Sequence, residues 1–122
     1  IVKCYQAQDS RIQLLNNQKD PGIVGALNTG FEAAKGDYIL RMDADDISLP
    51  HRFERQIAFM ECHPEVGVSG TWMKTLGENK SRLWHRFPHE HEAIKVALLF
   101  YTPVAHPTSI MRRLFFQQFN MA

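Results

Sequence analysis

An α/β layered fold with a mainly parallel sheet is the class this sequence predicts, and three observations predict it. Short apolar runs suited to buried strands alternate with segments of helical apolar spacing, across residues 11–70. The junctions carry turn-forming or helix-stopping residues. The resulting order is strand, helix, strand, helix, strand, which layers helices onto a sheet. With 122 residues, 44% of them hydrophobic and 22% charged, the chain is in the range of one ordinary globular domain. A domain of that size buries about two-thirds of its unfolded surface, so its core is expected to be modest.

Residues 1–8 read as the tail of a helix, and Arg11-Ile12-Gln13-Leu14-Leu15 as a first strand. Residues 16–22, Asn-Asn-Gln-Lys-Asp-Pro-Gly, form a turn. From Ile23 a helix is expected, with Ile23, Leu27, Phe31 and Ala34 on one face and Lys35-Gly36 as a cationic last turn and glycine stop. Residues 38–42 then read as a strand that runs straight into Asp43-Ala44-Asp45-Asp46. Ser48 and Pro50 begin a second helix, buried along Phe53, Ile57 and Met60 and ended by His63-Pro64, and residues 66–70 follow as a third strand. Farther on, a hairpin is expected over 74–87, a helix over 90–100 and a strand over 107–111.

The net charge of +1, from 14 basic and 13 acidic residues, gives no field that implies nucleic acid as a partner. Lys74, Lys80, Arg82, Arg86 and Arg112-Arg113 read as a solvated face. Two distant cysteines, Cys4 and Cys62, read as free thiols of a reducing, cytoplasmic compartment. The longest apolar run, residues 96–101, is far shorter than the roughly 20 residues that span a bilayer. A start at Ile1 inside a helix tail, with no secretory signal, suggests a truncated chain.

Three carboxylates within four residues at a strand tip repel one another, so a positive partner is expected there. A hard cation such as Mg²⁺ or Mn²⁺, held by one or two carboxylates and by substrate phosphates, would balance them. The place fits, because open α/β sheets bind ligands outside the carboxyl ends of their strands. In a strand-like or turn conformation Asp43 and Asp45 would serve the ligand, with Asp46 orienting them or capping the next helix. The alternative is that Asp45, Asp46 and Ser48 only form a turn and N-cap.

Taken together, Ala26-Leu27-Asn28-Thr29-Gly30, Ala33-Ala34-Lys35-Gly36-Asp37-Tyr38-Ile39 and Arg41-Met42-Asp43-Ala44-Asp45-Asp46-Ile47-Ser48-Leu49-Pro50 resemble the family 2 glycosyltransferases. The resemblance extends through Arg52, Gln56 and residues 64–70, and more loosely through residues 106–113. It implies a partial GT-A fold, Rossmann-like, of nucleotide-diphospho-sugar transferases, and an inverting transfer of sugar to a glycan or lipid-linked acceptor, with a UDP-sugar foremost among donors. It further implies that Asp43 contacts the ribose or donor sugar, that Asp45 ligates Mg²⁺ or Mn²⁺, that Asp46 supports this group, and that Asn28 lies beside the donor.

Leu27 stands where many relatives carry an arginine, which leaves one donor contact open. The family's general base follows the segment matched by residues 106–113, and no acidic residue follows Glu92 here, so the base is expected beyond residue 122. The family's first strand and its nucleotide-binding segment are likewise expected upstream of Ile1. If neither exists, the chain is a noncatalytic remnant that binds a sugar nucleotide or a protein. An aspartyl-nucleophile phosphatase would need Thr or Val where Ile47 stands.

His106 either faces the acceptor or diphosphate, or packs structurally before Pro107. Trp72 either stacks on a sugar ring or packs in the hairpin. His85, His89 and His91 read as surface residues rather than a zinc site. The expected location is cytoplasmic or peripheral at the inner membrane face.

Overall fold

A computed structural model describes residues 1–17, 20–76 and 84–118, which fall into two compact units that divide between Gly36 and Asp37. In the first unit α1 spans Val2–Gln8 and α2 spans Ile23–Ala33. No strand forms over residues 11–15. The N–H groups of Arg11 and Ile12 are taken locally, by the Asp9 carboxylate at 2.9 Å and the Asp9 carbonyl at 3.1 Å. Such side-chain turns compete with strand ladders for the same donors.

The turn before α2 folds back on the helix through Gly25. Asn17 Nδ2 donates to the Asp20 carbonyl at 3.0 Å, and Thr29 Oγ1 donates to the Gly25 carbonyl at 2.8 Å and to Asn17 Oδ1 at 3.4 Å. A Cβ on Gly25 would stand 1.9 Å from the Asp20 carbonyl oxygen. Gly25→Ala should therefore cost about 1–3 kcal/mol, as overpacking does, read as a lowered urea midpoint. Unchanged stability would show that the turn does not dock there. Gly22, at φ 103°, precedes the helix in a conformation that side chains disfavour.

The second unit holds β1 (Tyr38–Leu40), α3 (Arg52–Cys62), β2 (Val68–Ser69), β3 (Met73–Lys74), β4 (Trp84–His85), α4 (His91–Ala97), a 3₁₀ turn (His106–Thr108), β5 (Ile110–Arg112) and α5 (Arg113–Gln118). The sheet order is β1-β5-β2, and both ladders are antiparallel, pairing Ile39 with Met111 and Val68 with Met111. The expected mainly parallel sheet is thus corrected among the described residues. β1 and β2 do run the same way, as a strand–helix–strand crossover through α3 requires, but β5 inserts between them in the opposite sense. β3 and β4 pair antiparallel, as the hairpin reading anticipated, while residues 77–83 lie outside the described residues and Lys80 and Arg82 with them.

The buried face of α3 is not the one its apolar residues suggest. Phe53 and Ile57 are 42% and 37% exposed, whereas Gln56 and Met60 are buried, so the inward stripe runs Arg52, Gln56, Met60 at i, i+4, i+8. The reason lies in what faces it: the backbone of residues 107–108 presents carbonyls that need donors. Gln56 Nε2 reaches the Thr108 carbonyl at 2.8 Å. Met60 and Ile110, fully buried, form the small apolar centre with Pro103.

Arg112 is a second correction, since it is half-buried rather than part of a solvated face. Its guanidinium donates to the carbonyls of Val66 at 2.9 Å, His63 at 3.1 Å and Met60, and to the Tyr38 hydroxyl at 2.9 Å. A cation there satisfies the open carbonyls at the C-terminus of α3. Tyr38 in turn donates to Glu61 at 2.8 Å. That hydrogen bond, with burial, raises the Tyr38 phenol pKa above its usual value.

Candidate functional site

β1 delivers the chain into the acidic turn. Antiparallel pairing with β5 ends as the Arg41 N–H bonds to the Ser109 carbonyl at 2.9 Å, and the chain reverses where the Asp46 N–H reaches the Asp43 carbonyl at 3.2 Å. Of the two conformations the sequence allows for the cluster, the turn is the one formed. Asp43 is half-buried and bound by Arg41 Nη2 at 2.9 Å, while Asp45 and Asp46 are exposed. Arg41 itself is deeply placed, 12% exposed, and so holds Asp43 from below the surface.

The capping alternative is not realised. The N-cap of α3 is His51, which makes no side-chain capping bond, and Ser48 only approaches the Leu49 carbonyl at 3.5 Å. Asp45 has no hydrogen-bond or ion-pair partner among the described residues. Asp46 faces Arg52 closely enough to support its positive charge, against the burial that pushes the Arg52 pKa down.

Arg52 ties the site together. Its Nη2 donates to the Arg41 carbonyl at 2.7 Å and its Nη1 to the Pro107 carbonyl at 2.8 Å, so one guanidinium joins the strand tip, α3 and the 3₁₀ turn. Thr108 locks that turn from the other side, through Oγ1 to the Thr71 backbone at 3.0 and 3.2 Å and to the Ala105 carbonyl at 2.9 Å. His106, exposed at the start of the turn, bonds only through its carbonyl, which accepts from Ser109 Oγ at 2.8 Å. Its imidazole has no partner among the described residues.

The structure therefore brings the Asp43–Asp46 turn and the His106 turn onto one frame. Asn28 belongs to the other unit, half-buried on α2. The sequence places Arg41, Arg52, Gln56 and Thr108 only within the resemblance and gives none of them a supporting role. The i, i+4 spacing of Arg52 and Gln56 was the available signal. Arg52→Met should leave two carbonyls short of donors, at about 1–3 kcal/mol each if water does not replace the arginine, read by chemical unfolding. A variant as stable as the parent would remove the clamp.

As for a cation, the oxygen donors present are of the hard kind that Mg²⁺ and Mn²⁺ prefer. No three His, Cys, Asp or Glu side chains converge as a metal cage among the described residues. An open, unengaged Asp45 beside a partly held Asp43 fits an ion whose remaining ligands come from phosphate and water.

The model of glycosyl transferase family 2 matches residues 1–118. The chain belongs to that family. Among family 2 relatives, the amylovoran biosynthesis glycosyltransferase AmsE of Erwinia amylovora is 36% identical over 79% of this chain and 36% of its own length. The O-antigen biosynthesis glycosyltransferase WbnJ of Escherichia coli is 30% identical over 92% of this chain and 43% of its own. A third, the UDP-Glc:alpha-D-GlcNAc-diphosphoundecaprenol beta-1,3-glucosyltransferase WfgD of Escherichia coli, is 41% identical over 48% of this chain and 23% of its own. The family 2 chain thus spans about two-fifths of the length of the broadly matching relatives. No solved structure matches it. Family membership carries the GT-A nucleotide-sugar transferase fold as its class. No helix among the described residues is long and apolar enough to cross a membrane.

Proposed function

We propose that this chain is the donor-binding centre of an inverting, metal-assisted transferase that moves a sugar from a nucleoside diphosphate, UDP foremost, to a glycan or lipid-linked acceptor at the cytoplasmic side of a membrane. The observation that carries the reading is the Asp43–Asp46 turn, whose acids neither cap α3 nor all find cationic partners among the described residues. Family membership supports sugar transfer as its purpose.

In this reading Asp43, oriented by Arg41, accepts hydrogen bonds from the ribose or donor sugar, and Asp45 ligates the ion, with Asp46 supporting both. His106 completes the donor side within the same unit, while a donor contact by Asn28 is only what the family resemblance implies. The ion would supply positive charge against the diphosphate. The acceptor oxygen bonds to the anomeric carbon from the face opposite the diphosphate, the anomeric C–O bond breaks with its electron pair on the departing diphosphate, and the hydroxyl proton passes to a base.

Calorimetric titration of the full-length protein with UDP and other nucleoside diphosphates, with and without Mn²⁺, tests the reading. Binding strengthened by the ion is expected. Ion-independent affinity, or none, would leave the turn as a structural feature.

A further inference from the structure

The β3–β4 hairpin carries a group of side chains that the donor site does not use. Its register pairs Met73 with His85 and Lys74 with Trp84, and the same register continued by one residue sets Trp72 opposite Arg86. Strand alternation therefore puts Trp72, Lys74, Trp84 and Arg86 on one face, indoles and cations on opposite diagonals. The contacts agree: Lys74 Nζ lies 5.1 Å from the Trp84 ring centroid and Arg86 Cζ 5.3 Å from that of Trp72.

Both indoles keep about half their surface open, 49% for Trp72 and 59% for Trp84. Trp72 is also fixed in place, since its Nε1 donates to the Phe87 carbonyl at 3.0 Å. A fixed aromatic plate loses little entropy when a ring lands on it. Neither cation has a carboxylate partner among the described residues. At Pro88, the residue after that carbonyl, a shallow groove of about 640 Å³ begins, lined by Ala93, Val96, Ala97, Phe100 and Tyr101 of α4 and its following turn, with the Glu92 carboxylate, held by Lys95, at its edge. Phe100 is 81% exposed.

We propose that this hairpin face and its groove seat the acceptor, a saccharide carried on a lipid chain through a diphosphate. The assignment deepens the transferase reading above and rests on it. The indole surface left open beside the cations matches the C–H faces of a sugar ring, two cations that lack a carboxylate partner among the described residues match the diphosphate, and the mostly apolar groove matches the first units of the chain. Other occupants leave a part unmatched. A neutral glycan leaves both cations idle, and an anionic bilayer gives the fixed indole plate no ring to meet. Single-stranded nucleic acid uses aromatics with cations too, but along a positive track that two cations do not make in a chain of net charge +1.

The test uses the full-length protein and a hexose joined through diphosphate to a farnesyl chain. Hexose 1-phosphate, farnesyl diphosphate, anionic phospholipid vesicles and oligothymidylate are the comparators. The probe is expected to bind at least about tenfold more tightly than either half of it. Lys74→Ala/Arg86→Ala should weaken it by at least about tenfold while leaving UDP–Mn²⁺ affinity and the far-ultraviolet circular dichroism of the folded protein unchanged. Trp72→Leu/Trp84→Leu should likewise weaken the probe by at least about tenfold, read by calorimetry. Undiminished probe affinity in both variants, or equal binding of vesicles or oligothymidylate, overturns the assignment. Absent UDP binding with intact, Lys74- and Arg86-dependent probe binding would overturn the donor reading and leave this surface supported.

Discussion

Asp45→Asn is expected to remove ion-assisted donor binding while the fold stays as it is. Asp45 is exposed and has no partner among the described residues, so exchanging a carboxylate oxygen for an amide breaks no internal bond. What changes is the donor offered to a hard cation, from a charged oxygen to a neutral carbonyl, at a position where the protein supplies few ligands. Losing even an outer-shell partner typically costs about 10–100-fold in metal affinity, and losing a direct ligand should cost at least that. Calorimetry with UDP and Mn²⁺ on parent and variant reads it, with the urea midpoint as the control. Equal affinity would withdraw Asp45 as the ligand. Asp43→Asn is a less clean probe, because it also weakens the bond from Arg41 Nη2.

The second large effect is on stability. Met60→Ala should destabilise the protein by about 2–5 kcal/mol, the range for truncating a fully enclosed side chain. Met60 is at 0% exposure in a centre with few other members, Ile110 and Pro103 foremost, so little is available to close the cavity. Against a typical total of about 5–15 kcal/mol, such a loss is severe. Met60→Leu, near in volume, should cost under about 1.5 kcal/mol. Urea unfolding of both variants separates the cases, and equal costs would show that size is not what Met60 contributes.

These two residues mark what can be seen in a sequence. Asp45 is legible as part of an acidic cluster at a strand tip, because an apolar strand ended by small and acidic residues before a proline is local chemistry, though the turn itself was one of two conformations the sequence allowed. Met60 is legible as a buried apolar residue, but the rest of its stripe on α3 is not. The inward stripe of Arg52, Gln56 and Met60 is two-thirds polar, and an apolar pattern sets Phe53 and Ile57 beside Met60 instead. Arg112 fails for the same reason, since a charged residue reads as solvent-facing until the carbonyls it serves are known. Arg11–Leu15 fails differently: its composition suits a strand, yet the Asp9 turn takes its first donors.

The sequence by itself determined the order helix, strand, helix, strand from α2 to β2, the place of the acidic cluster at the end of β1 and the family. Each rests on neighbours within a few residues, where spacing and side-chain chemistry act directly. Only the tertiary structure decided the direction of the central strand, the use of Arg52, Gln56 and Thr108 to hold the two turns of the site, and the shared face of Trp72, Lys74, Trp84 and Arg86. Those depend on partners 10 to 74 residues apart, such as Thr75 with His85 and Tyr38 with Arg112, and on backbone carbonyls that every residue carries alike. A run of letters does not record which carbonyl a buried donor will meet.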